Sequence, residues 1–212
     1  MKPAVVKLGG STAFDGEMDV WIAALAGSAL PLVIVPGGGP FADQVREAQK
    51  RLGFSEAAAH AMAILAMDQF GLVILDRDDR LAPARSLEDL EHVLSAGKVA
   101  VWLPSALATA APDIRASWDI TSDSLGAWLA GKIGAEVLLL IKQSSDFSAQ
   151  DSIADLVARG VLDAGFAAML PAGVDPYLAG PSDAATASAL LAAGALPGTK
   201  VQLAGRAVRK AG

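Results

Sequence analysis

Cysteine is absent from the 212 residues, which excludes disulfide cross-links and thiolate metal sites. Histidine occurs only at His60 and His92, too few for an imidazole-rich metal cluster. Basic residues are in deficit, with 17 Lys and Arg against 23 Asp and Glu and a net charge of −6. The resulting pI near 4.8 argues against an electrostatic nucleic-acid footprint. Small anionic ligands remain compatible, because a local site can be positive on an acidic protein. Residues 20–42 carry no charge, but Gly27, Pro31, Pro36 and the glycine run that follows break them up. A spanning helix needs about 20 continuous apolar residues. Residues 1–7 turn polar too early for a signal peptide. A soluble, cytoplasmic chain is expected, with no membrane and no nucleic-acid partner. Two phosphate-binding fingerprints are missing as well, G-x-x-x-x-G-K-[ST] and G-x-G-x-x-G.

What is present is apolar. A 53% hydrophobic and 19% charged composition excludes intrinsic disorder. Short runs without polar alternation recur at residues 4–6, 32–35, 72–75, 99–103 and 137–141. Strands apolar on both faces belong to parallel sheets covered by helices on each side. Helical signals fall between them. Pro40 opens a helix over residues 41–51. Ser55 caps another through residues 57–70 that stops at Gly71. Ser86 and Asp89 form a capping box before residues 87–94, with Gly97 as the stop. Residues 121–133 carry Leu125, Leu129 and Ile133 on one face, and the alanine-rich tract 184–195 reads as a helix. Residues 143–150 read as a surface loop. The alternation predicts a three-layer α/β/α sandwich with a mainly parallel central sheet, as a single domain over residues 1–212.

Three polar constellations follow predicted strands or open predicted helices. Lys7, Gly9, Gly10 and Ser11 follow the first strand, and Gly37, Gly38 and Gly39 follow the second. Glycine lets backbone N–H groups approach a ligand with no Cβ in the way, and such groups at a helix N-terminus bind phosphate. Each cluster alone is equally a tight turn. Residues 118–125 place Asp119, Thr121, Ser122, Asp123 and Ser124 at a helix start. By itself this segment reads as a capped N-terminus, with Thr121 as the cap and the carboxylates complementing the dipole.

Taken in order, residues 5–11, the 37–39 loop, residues 121–127 with 134–140, and residues 196–201 resemble the amino acid kinase superfamily. That superfamily includes acetylglutamate, uridylate, aspartate and isopentenyl phosphate kinases. Residues 57–71 and 118–124 are most similar to a small branch of it, the (5-(aminomethyl)furan-3-yl)methyl phosphate kinases, which make a diphosphate for methanofuran-type one-carbon cofactors. The resemblance implies ATP and Mg²⁺, with Lys7 neutralising charge on the phosphoryl group in flight and Asp123 holding that lysine. It implies that Gly9, Gly10 and Ser11 surround the ATP phosphates, and that Gly37, Gly38 and Gly39 face the acceptor. No protein metal ligand is expected.

Two departures accompany it. Relatives carry a second lysine in the nucleotide half, and residues 165–173 contain none; Lys142 is the substitute. The Asp-Gly-Val-Tyr-like loop is replaced by residues 143–148. His60 shares a helical stripe with Ile64 and Asp68, and alone would read as a buried core histidine. The resemblance instead gives it the acceptor's phosphate, so that the acceptor is a small-molecule phosphate ester and the product a diphosphate. Arg46 reads equally as an acceptor-binding cation or a solvated helix charge. Thr121 and Ser122 join the acceptor side, and Asp68 or Asp119 would be counter-ion to a basic aminomethyl group. A homo-oligomer is expected. Two alternatives stand beside the kinase: a non-catalytic nucleotide- or oxyanion-binding protein on the same fold, and an unrelated α/β nucleotide enzyme such as a dehydrogenase.

Overall fold

Residues 2–14 and 16–203 are described by the computed structural model. Along the chain run β1 (Ala4–Leu8), α1 (Glu17–Ala26), β2 (Leu32–Pro36), α2 (Gly39–Leu52), α3 (Glu56–Leu75), β3 (Leu81–Ala84), α4 (Leu87–Ser95) and β4 (Val99–Trp102). Then come α5 (Ser105–Ala108), α6 (Ser122–Lys132), β5 (Val137–Ile141), α7 (Ile153–Ala158), α8 (Phe166–Met169), β6 (Asp175–Ala179), α9 (Ala184–Ala192) and β7 (Thr199–Lys200).

Every residue of β1 and β2 is buried, as expected for strands covered on both faces. They lie in a seven-stranded sheet of order β3-β4-β2-β1-β5-β6-β7, parallel except where β7 runs antiparallel to β6. Alternate residues feed two cores. Val6, Leu8 and Ile34 pack with Trp21 and Leu25 of α1 and Leu191 of α9. Val5, Val35 and Trp102 pack with Leu125 and Leu129 of α6 and with Phe166 of α8. The three-layer α/β/α sandwich follows directly from the doubly apolar strands.

One expected strand is not a strand. Residues 72–75 form the last turn of α3, which continues past Gly71. Gly71 is a packing residue and not a stop: a Cβ there would lie 2.5 Å from Leu103 Cδ2 and 3.4 Å from Pro36 Cγ. Glycine therefore lets the helix lie close against β2 and β4. The strand belonging at this point of the chain is β3, Leu-Ala-Pro-Ala, four residues with a proline at the sheet edge. Proline is tolerated at such an edge, and it hides the strand from a periodicity reading. By length and composition α3 is also apolar enough to cross a membrane. In this fold Ile64 and Met67 enter one core, and Phe70 and Ile74 the other. The capping box at Ser86 and Asp89 opens α4 as expected.

The chain leaves β1 toward β2 and leaves β5 toward β6, so connections diverge between these neighbouring strands. In open α/β sheets this divergence forms a ligand crevice at the carboxyl ends. Lys7 pairs with Leu140 in register there, and Lys142 follows β5 immediately.

Gly71→Val is expected to lower the unfolding free energy by about 1–3 kcal/mol through overpacking. For Gly71→Ala, the helix-propensity gain of up to ~1 kcal/mol opposes the Leu103 displacement, and the net change should be smaller. Urea denaturation followed by circular dichroism compares them. A valine variant as stable as wild type would contradict the close approach.

Candidate active site

Lys7 occupies a position in β1 where alternation calls for a core residue, on the face covered by α6. Gly126 of α6 packs over it, where an added Cβ would sit in ordinary contact, 3.7 Å from Lys7 Cβ and 3.4 Å from Leu138 Cδ1. The ammonium meets Asp123 Oδ1 at 2.9 Å, as an ion pair off the hydrogen-bond direction. Lys142 Nζ donates to the other carboxylate oxygen, Oδ2, at 2.5 Å. One buried carboxylate thus bridges two lysines from neighbouring strands. Burial pushes the Asp123 carboxyl up, but Lys7 and Lys142 outweigh it and hold its pKa at about 2. Lys142 is drawn below the ordinary lysine range, first by burial and then by the charge of Lys7.

Asp123 is presented by the first turn of α6, whose cap differs from expectation. Thr121 is the N-cap residue but makes no side-chain cap. Its backbone N–H and its hydroxyl both donate to Asp163 Oδ2, at 3.0 and 2.8 Å. Ser124 also donates to Asp163, from its N–H at 3.1 Å and from its hydroxyl. The cap is therefore a carboxylate from the loop after α7, 39 residues beyond Ser124. Gly165 adjoins it: a Cβ there would lie 2.8 Å from Asp119 O. Neither Asp163 nor Gly165 was expected at the site. Their only signal is an Asp-Ala-Gly turn, which is common in loops.

The two glycine loops touch. Gly37 N–H donates to Leu8 O at 2.8 Å. A Cβ on Gly10 would lie 2.2 Å from Gly39 N, and one on Gly37 would lie 2.3 Å from Gly10 N. Glycine at these positions thus answers to loop–loop packing as well as to any ligand. Gly39 adds a left-handed φ of 53° and starts α2 with no side-chain cap, leaving first-turn N–H groups without intrahelical acceptors. Thr12, buried and also not expected here, pins the first loop by donating its hydroxyl to Gly9 O at 2.7 Å.

Between these elements lies a cavity of about 270 Å³. Lys7, Gly10, Ser11, Gly37, Gly38 and Gly39 form one side of it. Arg46, His60, Trp118, Thr121 and Ser122 form another. Gly9 and Lys142 do not line it. Gly9 flanks Lys7, with its would-be Cβ 3.3 Å from Lys7 Nζ and 3.0 Å from Ile141 O, and Lys142 stands behind Asp123.

His60 Nε2 is buried with no hydrogen-bond partner among the described residues. Burial lowers the imidazole's pKa below its ordinary value, against a weaker pull from the Ser117 backbone. An unpartnered ring nitrogen on a cavity wall is a site for a ligand polar group. Arg46 pairs with Asp43 at 2.8 Å and lies 4.5 Å from the centre of the Trp118 ring.

The two expected counter-ions are elsewhere. Asp68 accepts from the N–H and hydroxyl of Ser105 and pairs with Arg85 at 3.3 Å. It serves the start of α5. Asp119 points to solvent, where Arg115 pairs with it at 2.9 Å. Among the described residues the carboxylate lining the cavity is Asp43. Four-residue spacing on α3 put Asp68 on the His60 stripe, but at that level of the helix Met67 lines the cavity and the Asp68 carboxylate is taken up by Ser105 and Arg85.

The donor set suits a polyanion, with the Lys7 ammonium on the wall and Lys142 behind Asp123, an uncapped helix start, hydroxyls and a guanidinium. No group of three or more His, Cys, Asp or Glu residues arranged for a metal occurs among the described residues.

Asp123 titrates below its ordinary 3.8, so its stabilising contribution is complete above that value and is lost as pH falls toward about 2. The contribution is on the order of 2 kcal/mol. Asp123→Asn should remove that acid limb and also cost about 3–5 kcal/mol at neutral pH, because two buried ammonium groups lose their partner. Chemical denaturation at a series of pH values tests both. Parallel acid limbs in the two proteins would contradict the bridge.

The model of the amino acid kinase family matches residues 2–155. The chain is 35% identical over 133 residues to the [5-(aminomethyl)furan-3-yl]methyl phosphate kinase of Methanocaldococcus jannaschii, a match spanning 61% of this chain and 60% of that protein. The uridylate kinase of Archaeoglobus fulgidus superposes with a TM-score of 0.66 at 20% identity, covering 95% of this chain and all of the other. The UMP kinase of Ureaplasma parvum gives the same score at 15% identity, with 95% and 98% covered. The two superpositions speak for the fold, and the family match covers most of the sequence that builds the site: the chain belongs to the amino acid kinase family.

Proposed function

We propose that the protein is an ATP-dependent kinase that transfers the γ-phosphoryl group to a small phosphate ester, giving a diphosphate. The single observation that carries this reading is the buried Lys7–Asp123–Lys142 bridge opening onto a cavity walled by two glycine loops. Phosphoryl transfer asks a protein mainly for positioning and for positive charge at the oxygens that become more negative. Two ammonium groups held by one carboxylate leave a net positive charge there. Lys7, on the cavity wall, donates to the transferring group, and Lys142 supplies the second cation from the nucleotide side. Gly9, Gly10 and Ser11 approach the donor phosphates, and Gly37, Gly38 and Gly39 the acceptor. Mg²⁺ carried on the nucleotide phosphates would neutralise the remaining charge. An acceptor phosphate oxygen forms the new P–O bond as the bond to the departing ADP breaks. Lys142 on Asp123 favours this reading over a non-catalytic oxyanion-binding protein, whose main support was the missing second lysine.

The acceptor we infer is [5-(aminomethyl)furan-3-yl]methyl phosphate, in methanofuran-type cofactor synthesis, on the strength of the similar Methanocaldococcus jannaschii protein. His60 Nε2 would bond the acceptor's phosphate, with Arg46, Thr121 and Ser122 around it. This reading includes a single domain working as a homo-oligomer in the cytoplasm, where ATP is available.

The test is ADP release from ATP–Mg²⁺ with phosphate monoester acceptors, with the diphosphate followed by ³¹P NMR. Lys7→Ala should lower the rate by roughly 10² to 10³, as for removal of one donor aimed at developing charge. Wild-type turnover by that variant would refute the assignment.

His60 gives a second test. His60→Ala should raise KM for the acceptor with KM for ATP little changed, and His60→Gln should recover part of the loss. Because burial favours neutral imidazole while a bound phosphate dianion favours the protonated ring, acceptor KM should also rise as pH climbs through the lowered pKa of the free ring, beginning on the acid side of its ordinary 6.5. Equal damage to both substrates, with no pH trend, would assign His60 to packing.

A further inference from the structure

Of the segment between α5 and α6, the kinase reading gives a role only to its last residue, Thr121. Residues 109–121 run from the helix that follows β4 to the helix that precedes β5, so both ends lie at the carboxyl side of the sheet. Two ties hold the segment. Near its start Asp113 accepts from Trp128 Nε1 at 2.9 Å and Lys132 Nζ at 3.0 Å, both on α6. Near its end Trp118 Nε1 donates to Gln49 Oε1 on α2 at 2.8 Å. The amide of Gln49 is oriented in turn, with Nε2 donating to Glu56 Oε1 at 3.0 Å. Arg46 lies over the indole from the same helix and limits its tilt.

Trp118 is the aromatic side chain on the cavity wall, among Ala63, Ile64, Met67 and Leu125. The polar lining at this end consists of groups suited to phosphate or already paired, and among the described residues no side-chain amide lines the cavity to read a base edge. The cavity, at about 270 Å³, falls just short of the roughly 300–1,000 Å³ typical of sites for drug-sized ligands.

We propose that Trp118 is the acceptor-selecting residue: the indole is the wall on which a compact planar group of a phosphate monoester packs, and its latch to Gln49 and Arg46 keeps the cavity too short for a nucleoside monophosphate. Selection by Trp118 is a property of binding, while its effect on turnover rests on the kinase reading. The fold shared with UMP kinases does not decide the acceptor; on this proposal the Trp118 wall does.

The experiment measures calorimetric binding of benzyl phosphate, glycerol 3-phosphate and UMP to the full chain, with ADP release followed in parallel. Wild type should prefer benzyl phosphate over both others. Trp118→Ala should lose about ten- to hundredfold for benzyl phosphate, the value of stacking one ring on an aromatic side chain, with glycerol 3-phosphate little changed. It should gain affinity for UMP. Trp118→Phe should restore most of the planar preference, and Gln49→Ala should narrow it without abolishing binding. Losses equal for all three ligands, or wild-type binding of UMP as tight as benzyl phosphate, would overturn the proposal. If the preference depends on Trp118 but no monoester supports ADP release, the kinase reading fails and the selecting role stands. If turnover occurs with no Trp118-dependent preference, the selecting role fails alone.

Discussion

Two ammonium groups share one buried carboxylate where β1 and β5 end, and the surrounding structure is arranged to make that tolerable. A lysine inside a doubly covered strand carries a desolvation penalty of several kcal/mol unless it is paired. Asp123 meets that need for Lys7 only if the start of α6 lies directly on β1. Asp163 and Gly165 hold the first turn in place there. Lys142 then uses the second oxygen of the same carboxylate. The cluster is left one positive charge in excess, facing a cavity edged by helix-start N–H groups. The ion bridge thereby links folding of the switch point to affinity for anions.

Glycine serves two purposes in the same loops. Gly10 and Gly37 are small because the loops after β1 and β2 press on each other. Parallel register sets this contact, since Leu8 lies opposite Pro36 and both chains must turn at the same level. The bare backbone facing the cavity is thus partly a consequence of packing, and packing and ligand access favour the same residue. A turn reading and a phosphate reading of these clusters are not exclusive.

Much of the fold was legible in the sequence because buried strands announce themselves. Residues 4–6, 32–35, 99–103 and 137–141 lie in or abut β1, β2, β4 and β5, with limits moved by a residue or two. The strand assigned to residues 72–75 failed because a short apolar run has no period to separate helix from strand. Gly71, which looked like punctuation, is a contact glycine. Strands β3 and β6 each contain a proline, and neither reads as a continuous apolar run. At the site, Lys7, His60, Thr121 and Ser122 reach one cavity, although their own local patterns read only as a core histidine and a capped helix start, and the family resemblance alone put them together. Asp68 and Asp119 do not, because a side chain's heading depends on which neighbour claims it. Ser105 and Arg85 claim the first, and Arg115 the second.

By itself the sequence determined the layered architecture, the loops that end at the sheet's carboxyl edge and the capping box of α4. These follow from hydrophobic period, glycine placement and interactions spanning three or four residues. Only the tertiary structure decided that Asp163 caps α6, that Lys142 joins Lys7 on Asp123, and that Trp118 is latched to α2 beside His60. Those contacts join residues 19 to 116 positions apart. Their partners are chosen by strand order and helix packing, and no local pattern along the chain carries that information.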